Sequence, residues 1–588
     1  MLLAGDFNIH YEKETEPSTQ KYTDVLDAFN LHQHVSNATH TKGHVLDHII
    51  SKNGGDFLVS NVTIGSQISD HHVVHCDISL QKPKTASKTV SYRKLKKIDI
   101  EAFKQDIRDS DLYSKHSSLD LQSLVDLYHS NLSQILDRHA PVITKTVRDL
   151  GRGPWYNDAV RDARKKARSA ERLYRKHHSC ERSKETFRHA ENQYLRIMDK
   201  NKTEYYQNII KDNAHDQGRL FKTINSVMHR DKPNPMPPSP SNPQEIAEGF
   251  SDFFHGKIDK IRRDFTDSNH DAFHYDDNAR SECDVFSDFK HLSHEEIERL
   301  IVRSPTKHCE MDPIPTFLLK SCLPELVPSI ATIVNCSLQT ANVPTRYKQA
   351  VVKPLLKKPG LEPIYKNYRP VSNLTFISKV IEQAASNQIE EHISKQDIGE
   401  KFQSAYKASH STETALVRVF DDILRQLDQG HVVYLALLDL TAAFDTVDHQ
   451  VLLERLHRTF HLSGQVLSWV KSYLSDRSTV VSVNGCLSQP KALDCSVPQG
   501  SRIGPKMYNN YTQPLGKLIV SLMILYHLYA DDGQLMKFFD PRKLNQDRIA
   551  ADHLEFCINE IAMWMRNNKL RLNKDKTEFL ILSNSTNR

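Results

Sequence analysis

The sequence predicts a multidomain protein of mixed α/β and α+β class. Three observations carry that expectation. The chain has 588 residues, long enough for three or four domains, each with its own core. Short apolar runs bounded by Gly, Asp and Asn, the pattern of buried strands, occur near both ends. Between them lie helix-period blocks, broken by the proline-rich stretch 232–243, which can form neither helix nor central strand.

Composition excludes several classes. Net charge is only +5, so any basic surface must be local. Nine cysteines are scattered without a Cys-x-x-Cys pair. That argues for a reducing compartment, and against a zinc site or a disulfide framework. The 31 histidines show no spacing that competes with this reading. Met1-Leu2-Leu3-Ala4 is too short for a secretory leader, and the longest apolar run, near 518–530, is interrupted by His527. The expectation is a soluble, non-secreted protein of the nucleus or cytoplasm, with no membrane or disulfide partner.

In chain order, residues 1–80 alternate apolar runs with turns, and each run ends near an Asp or His: Gly5-Asp6-Phe7-Asn8, Leu46-Asp47-His48, Ser69-Asp70-His71. Residues 82–100 are polar and basic and read as a linker. From 101 to 140, Leu121, Leu124, Val125, Leu127, Tyr128, Leu132, Ile135 and Leu136 recur at helical spacing. Across 161–202 there are fourteen Lys/Arg against six Asp/Glu, with Tyr174, Phe187 and Tyr194 interleaved. This stretch is either a solvated helical spacer or a phosphate-contact surface. Residues 244–263 look helical and 264–288 acidic and irregular; neither shows chemistry of its own. The expected boundaries are therefore 1–80, 81–231, 232–243, 244–290 and 291–588.

The last segment holds the densest signals. Val351 to Leu356 reads as a strand with Lys353 near its end, and Asn367-Tyr368-Arg369-Pro370 precedes a helix. Leu416, Val419, Phe420, Ile423, Leu424 and Leu427 line one face of a helix that Gly430 ends. That helix reads as core packing. Asn484-Gly485 is a hairpin turn. Leu522 to Leu528 reads as a buried strand ending at Tyr529-Ala530-Asp531-Asp532-Gly533, with Asp532-Gly533 as the turn. Adjacent carboxylates repel unless a cation lies between them, although an Asp-Asp-Gly turn also occurs as plain solvated loop. A second apolar run, 432–438, ends in Asp439. Two such strands can bring three carboxylates to one point, the oxygen-rich setting that two magnesium ions need for nucleotidyl transfer.

Leu438-Asp439-Leu440-Thr441-Ala442-Ala443-Phe444-Asp445, Pro498-Gln499-Gly500-Ser501 and Tyr529-Ala530-Asp531-Asp532, in that order, resemble the reverse transcriptases of non-LTR retrotransposons (LINE elements of the jockey-like superfamily). The resemblance implies right-hand polymerase fingers and palm without a complete thumb. It implies catalysis by Asp439, Asp531 and Asp532 around two magnesium ions, with manganese as an alternative. RNA template, DNA primer or target and dNTPs are the implied partners. Phe444 would sit under the incoming sugar and exclude a ribose 2′-hydroxyl. Lys353 and Arg369 would face phosphates, Gln499 would bond template or base, and Gly500 would let backbone approach the nucleotide. Lys576, in Leu570-Arg571-Leu572-Asn573-Lys574-Asp575-Lys576, would serve the leaving pyrophosphate. Two departures, Arg502 to Tyr511 and Gly533-Gln534, stand where related sequences are more apolar or carry Thr.

Residues 1–80 resemble the C-terminal half of the endonuclease/exonuclease/phosphatase family, a two-sheet α/β sandwich. Carried over, Asp6 and Asn8 handle water and phosphate, Asp70 binds metal, and His71 stabilises phosphate with Asp47 orienting it. The family's metal-binding Glu has no counterpart before Asp6, so the expectation is a partial, inactive endonuclease sandwich with an exposed first strand. The alternatives are a decayed, non-catalytic nucleic-acid binder and a metal-dependent nuclease.

Overall fold

The computed structural model describes residues 2–52, 57–80, 87–148, 153–177, 180–213, 220–221, 224–225, 236–237, 242–266, 284–307, 309–358 and 360–584. The proline-rich stretch 232–243 and the acidic stretch 264–288 fall largely outside them. The chain divides into two compact units: Met1–Ser91 with Thr144–Lys211, and Tyr92–Ile143 with Asp212–Arg588.

In the first unit, β1 (Leu2–Asp6), β2 (Leu31–Gln33) and β3 (Asp47–Lys52) form an antiparallel sheet ordered β1-β3-β2. β1 is the edge strand and is mostly exposed, as expected. β4 (Phe57–Gln67) and β5 (His72–Leu80) make a bulged antiparallel pair. Val35, Val45 and Ile49 form a small core with Leu2, Tyr11, Val59, Val62, Ile64 and Val74 against it. β6 (Ser87–Tyr92) pairs with β7 (Ile143–Arg148). The basic stretch is two helices, Asp158–Lys176 and Glu181–Asp212, the first capped by the Asn157 side chain on Val160 N–H. They bury only Val160, Ala163, Ala167 and Ser183, so their charged faces stay in solvent.

The second unit has one large core. Residues 92–143, read from sequence as part of a linker, contribute Phe103, Ile107, Leu124, Tyr128 and Leu132 to it. The helix Leu121–His139 thus has the spacing expected of it, and its apolar stripe packs on Leu323–Gln339 rather than serving a spacer. Arg108 reaches Glu325 at 2.5 Å. Two sheets follow. β8 (Gln349–Leu356), β9 (Tyr368–Asn373), β11 (Arg477–Val483), β12 (Cys486–Leu487) and β13 (Lys491–Leu493) form one, in which β11 lies parallel to β8 and antiparallel to β12 and β13. The Asn484-Gly485 turn joins β11 to β12, with φ of 51° and 86°. β10 (Val432–Leu438), β14 (Leu525–Tyr529), β15 (Asp532–Phe539) and β16 (Glu578–Leu582) form the other, ordered β14-β15-β10-β16.

Two expectations change. The helix Thr412–Asp428 buries Ala415, Val419 and Ile423, whereas Leu416, Phe420 and Leu424 are more than half exposed. Val419 and Ile423 meet Val433, Leu435 and Met536 of the sheet, so only one edge of its apolar stripe is covered. The helix Pro243–Thr266, assigned no role from sequence, buries Ala247, Phe250 and Phe254 against Val352, Tyr368, Val481 and Val483. It also bonds the other sheet's neighbourhood, through Arg262 to Asp448 at 3.3 Å and Asp264 to Arg571 at 2.6 Å. Among the described residues, no helix is long and apolar enough to cross a membrane.

Phe250 is fully buried between the helix and β9. Phe250→Ala should cost about 3–5 kcal/mol in urea unfolding of the second unit. A loss below about 1 kcal/mol would show that the helix does not belong to this core.

Candidate active site

The site is built by strand register. β10 and β15 pair antiparallel as far as Leu438 opposite Gly533, so Asp439 follows the end of one strand and Asp532 begins the other. β14 returns to β15 with Tyr529 opposite Asp532. The turn is therefore Ala530-Asp531, not Asp532-Gly533. Gly533 lies inside β15, and Ala530 takes the left-handed conformation at φ 55°.

A buried amide holds that turn. Gln403 donates its side-chain N–H to the Ala530 carbonyl at 3.2 Å and accepts from Ala530 N–H at 2.9 Å. Its neighbours run beside β14, with Leu528 N–H donating to the Phe402 carbonyl and Ser404 N–H to the Leu528 carbonyl. His527 bonds Ser404 Oγ at 2.8 Å and its cross-strand partner Gln534 at 2.9 Å. His527 and Gln534, both unusual on a sequence reading, thus satisfy each other inside the sheet. No sequence signal marked Gln403; its spacing from Ala530 is long range.

The carboxylates are electrostatically crowded. Burial, followed by the charge of Asp439, raises the Asp531 pKa above the ordinary carboxylate value. Asp532 is raised by burial and then by Asp531 and Asp439. Among the described residues, Lys576 is the cation that answers them, its Nζ donating to Asp439 Oδ2 at 2.7 Å. That bond, with the charges of all three carboxylates, raises the Lys576 pKa. The chain carries Lys576 there by a bridge between Leu440 and Leu572 and by Asn573 N–H donating to the Asp439 carbonyl at 2.8 Å. With Asp439 turned to Lys576, the three carboxylates do not form a group whose ligand atoms all lie within 4.8 Å. Their donor set still suits a divalent metal: all hard oxygens, mutually repelling, with one ammonium for three acids.

Phe444 lies in an aromatic layer, stacked on Tyr508 (centroids 4.6 Å, 23°) and edge-on to Tyr406 (6.4 Å). Asp531 is among the charges that, after burial, raise both tyrosines. Lys353 and Arg369 are exposed on one face of the β8–β9 pair, where Lys353 faces Val371 and Leu355 faces Arg369. Lys353 Nζ is 2.5 Å from Glu310. Gly500 has a different neighbour from the one expected. At φ 125° its backbone abuts β9, where a Cβ would come 2.3 Å from the Ser372 carbonyl, and the Gln499 carbonyl accepts from Ser372 N–H at 2.9 Å. The close approach that needs glycine is thus strand to loop. Glu382, buried and raised in pKa by desolvation, accepts from Arg502 N–H at 2.6 Å and so anchors the same loop.

In the first unit, Asp6 pairs with Asp47 across β1–β3, and Asn8 N–H donates to Asp6 Oδ1 at 2.9 Å with Asn8 at φ 53°. His71 Nδ1 meets Asp47 at 2.8 Å, and Asp70 lies 3.5 Å from His40. The bond to Asp47, with the charges of Asp6 and Asp70, raises His71 above its ordinary value. The five residues named from sequence therefore converge, with His40 as a sixth that sequence did not mark.

Residues 356–587 match the family described as reverse transcriptase (RNA-dependent DNA polymerase). The probable RNA-directed DNA polymerase from transposon BS of Drosophila melanogaster is 28% identical over 48% of this chain and 31% of that protein. The RNA-directed DNA polymerase from mobile element jockey of the same species is 28% identical over 50% of this chain and 32% of that protein. The chain thus spans about a third of the length of these relatives. An apo telomerase structure from Candida tropicalis aligns at TM-score 0.30 and 12% identity over 46% of this chain and 64% of that one, too slight a likeness to carry an argument.

Two outcomes follow from the charges. Raised carboxylates in the folded state favour folding below their unfolded value of 3.8 and lose that advantage as pH rises through the shifted pKa. Without divalent metal, Asp531→Asn should therefore flatten the fall of melting temperature above pH 4; an unchanged profile would remove the crowding. In the first unit, the His71 ring should titrate above 6.5 by NMR, and Asp47→Asn should bring it down. No change in that midpoint would separate the two side chains. The chain is thus similar over residues 356–587 to the reverse transcriptase family, and over about half its length to RNA-directed DNA polymerases of mobile elements such as jockey.

Proposed function

We propose that the second unit is an RNA-directed DNA polymerase that extends a primer 3′-hydroxyl with dNTPs on an RNA template. The observation that carries this reading is the end of the β10–β15 ladder at Leu438 and Gly533, where Asp439 follows one strand and Asp532, beside Asp531, opens the other, within the matched family segment. In this reading the sheet of β10, β14, β15 and β16 is the palm, and β8 with β9 belongs to the fingers. Asp439, Asp531 and Asp532 are the residues that would hold magnesium, which would supply charge to neutralise the triphosphate and lower the pKa of the primer hydroxyl. Gln403 holds the Ala530-Asp531 turn, and so the backbone that carries both carboxylates. Lys576 leaves Asp439 and gives its proton to the departing pyrophosphate. The Phe444 ring, backed by Tyr508, occupies the space a ribose 2′-hydroxyl would need. Lys353 and Arg369 offer cations to phosphate on the open face of the fingers.

The five converging residues of the first unit support a second reading for that unit alone, a phosphodiester site of the endonuclease/exonuclease/phosphatase type. Plasmid nicking that His71→Ala abolishes would establish it, and absence of nicking in both proteins would end it.

Primer extension on an RNA template tests the polymerase reading. Asp531→Ala with Asp532→Ala should abolish extension while nucleic-acid binding persists; equal extension would refute it, leaving a non-catalytic nucleic-acid binder. Lys576→Ala should lower kcat by about 100-fold or more. Gln403→Ala should lower kcat by about 10- to 100-fold, with KM for dNTP nearly unchanged, as for a group that orients ligands without touching substrate.

A further inference from the structure

His10, Glu12 and His44 form a second cluster in the first unit, apart from the Asp6, Asn8, Asp47, Asp70 and His71 group. Their ligand atoms all lie within 4.8 Å of one another. Glu12 Oε1 is 3.2 Å from His10 Nδ1 and 2.8 Å from His44 Nδ1. The two rings stand edge to face, centroids 4.3 Å apart at 85°. The other carboxylate oxygen, Oε2, accepts from Val45 N–H at 2.9 Å.

The cluster is assembled by backbone pairing. After β1, Phe7 N–H donates to the Leu46 carbonyl at 2.9 Å and Tyr11 N–H to the Val45 carbonyl at 3.3 Å, so 7–12 runs beside the approach to β3. His44 is presented by a tight turn, in which Thr39 N–H donates to the His44 carbonyl at 2.9 Å and Gly43 takes φ 83°. The Thr39 hydroxyl accepts from both Leu46 and Asp47 N–H at 3.0 Å, which fixes that turn against β3.

We propose that His10, Glu12 and His44 are a binding site for a zinc-class divalent transition metal. Two imidazole nitrogens and one carboxylate oxygen are a donor set that such ions favour and that magnesium and calcium, which take oxygen, do not. Each imidazole binds through Nδ1 and keeps its proton on Nε2. The Val45 N–H holds the carboxylate from behind, as outer hydrogen bonds do for metal ligands. All three side chains are about 30% exposed, so a fourth position faces solvent and takes a water. Three protein ligands and one open position is the pattern of zinc sites that do chemistry rather than hold a fold. The sequence argued against zinc because no Cys-x-x-Cys pair occurs. These ligands sit on two loops, and only the pairing of 7–12 with 44–46 joins them. The inference is independent of the polymerase reading.

The test is a titration of the full chain with zinc by isothermal calorimetry, in an Asp70→Asn, His71→Ala background that removes the neighbouring His40, Asp70, His71 group. One equivalent should bind saturably, and adding His44→Ala or Glu12→Gln should abolish it. Glu12→Gln keeps the acceptor for Val45 N–H, and circular dichroism reports whether each variant folds. Cobalt in the same protein should give the intense visible bands of a four- or five-coordinate site. No saturable zinc in the background, or zinc retained when both further substitutions are present, would overturn the site and leave a hydrogen-bonded tether of two loops.

Discussion

The antiparallel pairing of β10 with β15 is the constraint on which the second unit's chemistry depends. It ends at Leu438 and Gly533, which leaves Asp439 and Asp532 at the ends of the two strands and Asp531 in the adjoining turn, an arrangement that costs electrostatic free energy in the folded protein. The cost is carried by the strands themselves: Val433, Leu435 and Met536 are buried in one core and Ala436, Leu438 and Leu535 in another, and a slip of one residue would exchange the two sets and break the packing of both. Apolar burial on one part of each strand thus holds like charges together at its end. Lys576 relieves part of the repulsion from the opposite side of Asp439.

Around that pairing, backbone is fixed by buried polar side chains rather than by more sheet. Gln403 closes on Ala530, His527 on Gln534, and Glu382 on Arg502 N–H. The first and third join segments more than a hundred residues apart, and the second ties the two strands of the β14–β15 hairpin. Such bonds are strong when fully satisfied in a low dielectric and expensive when broken. They make the turn at Ala530-Asp531 and the loop at Gln499-Gly500 rigid before any substrate arrives. The Gly500–Ser372 contact then couples that loop to β9 through backbone alone, which only a residue without Cβ permits.

The helix Pro243–Thr266 has a comparable role at larger scale. Its Phe250 and Phe254 cover the β8–β9–β11 sheet, while Arg262 and Asp264 reach the segments that carry Asp448 and Arg571. The folded unit therefore extends upstream of the segment that matches the reverse transcriptase family. In the first unit, a small core supports an unusual density of His and acid side chains, with His40 stacked on His44 and edge-on to His71.

Much of this was legible in the chain. Apolar runs ending in Asp439 and Asp531 marked the strands, Asn484-Gly485 its hairpin, and the spacing from Leu121 to Leu136 its helix. These are local signals, because period and turn chemistry depend on near neighbours. Other readings needed the tertiary structure. The turn moved from Asp532-Gly533 to Ala530-Asp531 because Gln403, more than a hundred residues earlier, stabilises a left-handed alanine. Leu416, Phe420 and Leu424 are exposed because only the Val419 and Ile423 side of their helix meets the sheet, and Gly500 meets Ser372 rather than open space. The kinds of chemical group and their order were set by the residues alone. Which groups face one another, and which cation answers which acid, was decided by strand register and long-range hydrogen bonds, which no local pattern encodes.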